Sequence, residues 1–126
     1  MIESKAFFDS ATGAAIGHFQ GFLSTEKFKT IAEELHTLRK TYSSSKQLNN
    51  IENMKVLTPE VQQWLNEVWF PKAKQTGLKY FAFVVPKDVF GKVSMENANK
   101  TAKDTFGIEI NYFQTEADAK AWLKSK

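Results

Sequence analysis

The segment 57–86 constrains the fold more than any other part of this chain. It opens with Thr58 at a helix N-cap and Pro59 in the first turn, where a missing N–H costs nothing. Gly77 ends the helix, and the apolar run of residues 80–85 follows almost at once. A strand that is apolar on both faces must be covered on both faces, which is typical of parallel sheets wrapped by helices. We therefore expect an α/β fold in which this run is an interior strand.

The remaining pattern predicts strands and helices in alternation. Strands are expected over residues 5–9, 14–23, 47–51, 80–85 and 108–113. Helix N-caps are expected at Ser24 or Thr25, Thr58, Asp88 and Thr115. The first two strands are close enough for a hairpin, and later crossovers should be right-handed. The prediction is a single α/β domain, residues 1–126, of order β-β-α-β-α-β-α-β-α, with helices on the faces of a mainly parallel five-stranded sheet whose first strand is antiparallel.

Local patterns predict how these elements pack. Gly17 and Gly21 share one face of the second strand, so a helix should approach that face closely. The expected buried stripe of the second helix consists of Val61, Trp64, Leu65 and Val68. Pro71 should kink or break that helix after Phe70, because proline lacks the N–H of the helical ladder.

Composition excludes several classes of protein. With no cysteine, the chain has no disulfide, thiolate metal site or cysteine nucleophile. The 17 basic residues exceed the 14 acidic ones, but the lysines are scattered beside acids, unlike a nucleic-acid interface. The N-terminal residues lack a signal-peptide pattern, and no apolar stretch is long enough to span a membrane. We expect a cytoplasmic protein that binds no nucleic acid.

The sequence contains no recognisable catalytic, cofactor or metal motif. His18 and His36 are the only histidines, and neither has a second ligand at metal spacing. We interpret His18 as a hydrogen-bonded structural residue and His36 as exposed. The chain is predicted to be no enzyme and to need no cofactor. A pocket that gathers His18, Asn50 and an acid would be the sign of an unrecognised enzyme.

Two features suggest a surface for a partner or a ligand. The asparagine-rich stretch after the third strand lies where open α/β sheets tend to bind ligands, although such a stretch also satisfies its own backbone. The adjacent rings of Trp69 and Phe70 cannot both face inward in a regular helix, so one is a candidate for self-association or a pocket wall. The candidate surface consists of Asn50, Asn53, Thr58, Trp69, Phe70 and Phe90.

Several motifs in this order resemble the SpoIIAA-like family, small bacterial domains related to STAS domains and, in fold, to CRAL-TRIO lipid-binding domains. The matching motifs are Leu48-Asn49-Asn50, Leu57-Thr58-Pro59-Glu60-x-x-x-Trp64-Leu65, Trp69-Phe70-Pro71, Gly77-Leu78-Lys79, Ala82-Phe83-Val84-Val85-Pro86, Phe113 and Ala119-x-x-Trp122-Leu123. They span nearly the whole chain.

The resemblance implies a regulatory or protein-interaction module, and a homodimer is one form of it. In the related anti-anti-sigma factors, a serine before the second helix is phosphorylated to switch partner binding. This chain has Asn49-Asn50-Ile51-Glu52-Asn53-Met54 there, without that serine, so the switch is not carried over. Thr58 is the nearest hydroxyl, and we interpret it as a helix cap. The relation to CRAL-TRIO domains implies an alternative, a small hydrophobic or lipid-like ligand.

Overall fold

The computed structural model describes residues 4–21, 24–54, 59–85 and 107–126. Its strands are β1 (Lys5–Asp9), β2 (Ala14–Gly21), β3 (Lys46–Met54), β4 (Tyr80–Val84) and β5 (Glu109–Phe113). They form one sheet in the order β1-β2-β3-β4-β5, in which β1 is antiparallel to β2 and the later pairs are parallel. The predicted α/β domain with a mainly parallel sheet is confirmed, and β3 is longer than expected.

Helices follow β2, β3 and β5. They are α1 (Thr25–Thr41), α2 (Pro59–Trp64), a π-helical turn (Leu65–Trp69), α3 (Phe70–Gln75) and α4 (Glu116–Lys124). Ser24 caps α1 through its side chain, and Thr115 caps α4 by accepting from the N–H of Asp118 at 3.2 Å. The helix predicted to begin at Asp88 lies outside the described residues. None of the described helices has the length and apolar character needed to cross a bilayer.

The sheet has a different helical cover on each face. On the first face, Phe19 and Phe81 pack with Leu35 of α1 and Trp69 of the π-helical turn. The second face packs against α4, and its buried side chains are Ala14, Ile16, Leu48, Ala82, Val84, Ala119 and Leu123. In β4 and the residue after it, Phe81, Ala82, Val84 and Val85 are at most 1% exposed. The run 80–85 is therefore an interior strand, as predicted.

Gly17 lets α1 pack closely on the first face. A β-carbon built there would lie 3.0 Å from Leu35 Cδ1 and 2.9 Å from Phe19 Cε2. Both distances are shorter than ordinary van der Waals contact, so any side chain at residue 17 would displace its neighbours. The predicted close approach of a helix to this face is confirmed at Gly17, whereas a β-carbon built at Gly21 would meet nothing within 4 Å.

The π-helical turn changes which residues of the second helical region are buried. Val61 is buried, but Val68 is 45% exposed and Trp69 is 1% exposed. The N–H of Phe70 donates to the carbonyl of Leu65, five residues back, so this turn contains one more residue than an α-helical turn. The extra residue rotates Val68 out and Trp69 in. The prediction that Val68 is buried was wrong, because it assumed α-helical spacing throughout.

Pro71 does not break the helical backbone. The chain continues through Pro71 to Gln75, and the irregularity lies before the proline, in the π-helical turn. A helix absorbs a proline when the hydrogen-bond ladder is already rearranged next to it. Gly77 then ends the region with φ = +87°, a conformation that suits glycine.

Candidate functional site

Polar side chains from three distant segments meet on the second face, toward the carboxyl ends of the parallel strands. His18 of β2 and Asn50 of β3 are paired in register, and Val84 and Phe113 continue the same row. The chain leaves β5 at this edge and turns into α4, whose first residue is Glu116. Alternation along β2 and β3 thus points His18 and Asn50 toward the face that α4 covers.

Glu116 binds both of the other side chains. Its Oε1 lies 2.6 Å from His18 Nε2, and Asn50 Nδ2 donates to the same oxygen at 3.4 Å. The side chains of His18 and Glu116 are 19% and 26% exposed. We call these three residues the carboxyl-edge cluster. The ring of Phe7 meets the imidazole of His18 edge-on, with centroids 5.3 Å apart, and so covers one side of the cluster.

The surroundings favour an ionised Glu116. Burial alone would raise the pKa of Glu116, but hydrogen bonds from His18 and Asn50 and the charges of His18 and Lys120 hold the pKa below its ordinary value of 4.5. Lys120 Nζ lies 3.5 Å from Glu116 Oε2, one helical turn along α4. An ionised carboxylate only accepts hydrogen bonds, so His18 Nε2 is the donor in this pair.

The arrangement can orient an imidazole and present a mixed set of charges at a surface. A carboxylate that holds one ring nitrogen leaves the other available to accept a proton, as in acid–base catalysis. Across the described part of the chain, no group of three or more His, Asp or Glu side chains is placed to hold a metal ion. His18, Asn50 and an acid do lie together here, and the predicted sign of an enzyme was a pocket that gathers them.

The structure separates the predicted surface residues. Asn50 belongs to the carboxyl-edge cluster. Its Oδ1 also accepts from the N–H of Glu52 at 3.1 Å, which agrees with the interpretation that this stretch hydrogen-bonds its own backbone. The backbone of Asn53 lies in β3. Thr58 and Phe90 lie outside the described residues.

Trp69 is no surface residue, which corrects the candidate list. It is 1% exposed, and its Nε1 donates to the carbonyl of Ala32 at 3.1 Å. Phe70 is half-buried and packs edge-on against Trp69, with ring centroids 5.1 Å apart. The π-helical turn allows the two adjacent rings to contact the same core. This end of the helical region therefore presents less aromatic surface than predicted.

The prediction that His36 is exposed was also wrong. Its side chain is buried, with 2% of its surface exposed, and stacks on the ring of Trp69 with centroids 4.8 Å apart. It faces Arg39, which is fully buried, and Arg39 Nε donates to Gln47 Oε1 at 2.8 Å. A polar residue on a helix usually faces solvent, so the sequence contained no indication that these side chains form a buried network. Glu116 was missed as a site residue because its position in the first turn of α4 already explained it.

Comparisons with known proteins place the chain in a family. The family described as SpoIIAA-like matches residues 17–124. A solved structure of an uncharacterised protein of the DUF3478 family from Shewanella loihica PV-4, with a SpoIIAA-like fold, is similar with a TM-score of 0.64 and 16% identity. The similarity covers 96% of this chain and 92% of that one. No curated protein matches. The family match over residues 17–124, together with the observed strand order, shows that the chain belongs to the SpoIIAA-like family.

Proposed function

We propose that this domain is a non-enzymatic interaction module that docks a protein partner at the carboxyl-edge cluster. The observation that carries the proposal is the meeting of His18, Asn50 and Glu116 at the edge of the sheet where α/β folds commonly bind their ligands. Family membership supports it, because in the related anti-anti-sigma factors a serine before the second helix switches partner binding. In this chain β3 extends to Met54, so Asn50 lies within the strand that precedes that region.

The cluster has properties that suit an interface. The hydrogen bond between His18 and the Glu116 carboxylate is short and only partly exposed, so a partner that covers it would exclude water and strengthen its electrostatic contribution. Such pairs mainly give specificity and register to a complex, while neighbouring apolar surface supplies much of the affinity. Phe7 beside His18 provides half-buried apolar surface of that kind.

A matched pair of charge reversals tests the proposal. The tagged chain is used to capture proteins from extracts of the cells that make it, with Glu116→Lys as the test variant and Glu34→Lys, on exposed α1 surface, as the control. We expect a partner that the wild type and Glu34→Lys retain and Glu116→Lys loses. With that partner purified, Glu116→Lys should bind at least about tenfold more weakly. A partner retained equally by all three folded chains would contradict docking at this cluster.

Self-association stays a separate prediction. The prediction rested on one of the rings of Trp69 and Phe70, and burial of Trp69 leaves the half-buried Phe70 as that candidate. Val68, 45% exposed, is a further large apolar side chain that this turn presents. Sedimentation velocity over a range of protein concentrations measures it directly. The alternative of a hydrophobic or lipid-like ligand is tested by native mass spectrometry of the purified chain.

Acid–base catalysis is a second candidate function, favoured by the 2.6 Å contact between His18 and Glu116. In this case His18 would act as the base and Glu116 would orient it. Chromogenic ester and phosphate-ester substrates provide the test, with His18→Gln as the matched variant. Turnover that disappears in His18→Gln supports catalysis, and turnover at the uncatalysed rate in both chains favours the interaction module.

A further inference from the structure

Arg39 is a buried cation without a counter-ion in the described part of the chain. It is fully buried, and its Nη1 donates to Thr76 Oγ1 at 3.0 Å while its Nε donates to Gln47 Oε1. Its third contact is with His36 Nδ1, and its Cζ lies 5.9 Å from the ring centroid of Trp69. All of these partners are neutral. Buried charges in proteins are usually paired, so this guanidinium leaves positive charge uncompensated inside the fold.

A surface depression lies next to Arg39, at the opposite edge of the sheet from the carboxyl-edge cluster. It occupies about 710 Å³, which is within the range of small-molecule sites. Its lining residues are Arg39, Lys40, Ser43, Ser44, Ser45, Gln75, Thr76, Gly77 and Lys79. Among the described residues of this lining, every charged one is basic. Most of the other described lining residues carry a hydroxyl or an amide group.

The lining contains hydrogen-bond donors that are free to meet a ligand. Lys40 and Lys79 form no ion pair with any described residue. The hydroxyls of Ser43 and Ser45 have no hydrogen-bond partner among the residues that the structure describes. Thr76 connects the interior to the surface, since its hydroxyl accepts from Arg39.

The helix ends beside the depression do not cancel its charge. The C-termini of α1 and α3 each contribute a partial charge of about −0.5, against the full positive charges of Arg39, Lys40 and Lys79 in the described lining. Their last carbonyls already have backbone partners, as in the bonds from the N–H of Ser44 to Arg39 O at 2.8 Å and from that of Leu78 to Ala73 O at 3.0 Å. The lysines are therefore not needed to cap these helices.

We propose that this depression binds a small phosphate-bearing anion, with the ammonium groups of Lys40 and Lys79 and the hydroxyls of Ser43 and Ser45 as direct donors. Arg39 does not touch the anion and supplies a fixed positive field from below. A phosphate group has enough acceptor oxygens to use donors that converge from several directions. This site lies apart from the carboxyl-edge cluster, and it stands or falls independently of the proposed docking function.

An NMR titration tests the proposal with inorganic phosphate and glycerol phosphate as probes, at constant ionic strength maintained with sodium chloride. We expect saturable amide shifts confined to residues 40–46 and 75–80. Lys40→Gln/Lys79→Gln should weaken binding about tenfold or more, since it removes two charge-assisted contacts. Lys27→Gln/Lys124→Gln, which removes the same charge from exposed positions elsewhere, should bind like the wild type.

Three outcomes would overturn the site: shifts that increase linearly without saturation, equal shifts with chloride alone, or equal affinities for the two double variants. Both double variants change only lysines, so their folds are expected to survive, and a proton spectrum checks this directly. Saturation by both probes supports a site for the phosphate group itself. Saturation by glycerol phosphate alone supports a site for the ester.

Discussion

Replacing His36 by glutamine should make the protein less sensitive to acid. Burial, together with the positive charges of Arg39 and Lys72, lowers the pKa of His36 from 6.5 to about 3. Arg39 can only donate, so the proton of the neutral ring lies on Nε2, which is buried and has no hydrogen-bond partner among the described residues. His36 thus stays neutral in the folded protein at a pH where it is charged in the unfolded chain.

The sign and size of the effect follow from this difference in pKa. Between the two values the unfolded state binds one proton more than the folded state, so the free energy of unfolding falls as the pH falls below about 6.5. At about pH 4.5 the difference corresponds to two pKa units, or about 2.7 kcal/mol relative to neutral pH. His36→Gln keeps an acceptor for Arg39 but does not titrate. Between neutral pH and about pH 4.5, the variant should therefore lose about 2.7 kcal/mol less unfolding free energy than the wild type.

Urea unfolding at about pH 7.5 and pH 4.5 measures the four free energies. The comparison uses the change with pH within each protein, so any constant cost of His36→Gln cancels. NMR of the imidazole nitrogens provides a direct check, because the ring of His36 should remain neutral at about pH 4.5 while the protein is folded. The same pH dependence in both proteins, or a protonated His36 in the folded state, would refute the reasoning.

Three further predictions concern packing and the carboxyl-edge cluster. Trp69→Ala should lower the free energy of unfolding by about 3–5 kcal/mol and Val68→Ala by less than about 1 kcal/mol, because the π-helical turn buries Trp69 and exposes Val68. Equal losses in chemical denaturation would contradict this pattern of burial. Gly17→Ala should lower the free energy of unfolding by about 1–3 kcal/mol. Combined with Leu35→Ala, the total loss should be smaller than the sum of the two single losses, because the shorter side chain at residue 35 makes room for the new methyl group. Strict additivity in this double-mutant cycle would count against the close contact. The lowered pKa of Glu116 contributes stability above about pH 4.5 that is lost as the pH falls through the pKa of the folded state. Glu116→Gln should therefore weaken the dependence of stability on pH in this range. An unchanged dependence would show that the contacts with His18 and Asn50 contribute no net free energy.

The regular parts of the fold could be predicted because local sequence determines them. The apolar run of β4 indicated its buried position, and Ser24 and Thr115 cap helices where side-chain chemistry places them. The spacing of Val68 predicted burial that the π-helical turn reverses, because one extra residue in a turn has no clear signal in a periodic pattern. Pro71 indicated an irregularity, but it lies before the proline rather than after Phe70.

The candidate site was less accessible to sequence reasoning. Asn50 was identified from the asparagine-rich stretch expected after the third strand, which the structure places inside β3, and His18 was correctly interpreted as hydrogen-bonded. Their shared partner Glu116 lies 98 residues from His18 along the chain, and only the tertiary fold brings them together. The burial of His36 depends on the packing of α1 against the π-helical turn, so the prediction that it is exposed was wrong.

Hydrogen exchange of the chain, alone and bound to its captured partner, tests most directly whether the carboxyl edge is the docking surface. We expect slower exchange in the complex within residues 16–20, 48–52 and 113–118, the three segments that carry His18, Asn50 and Glu116. Protection confined to the exposed side of α1, with the carboxyl-edge segments unchanged, would contradict the account.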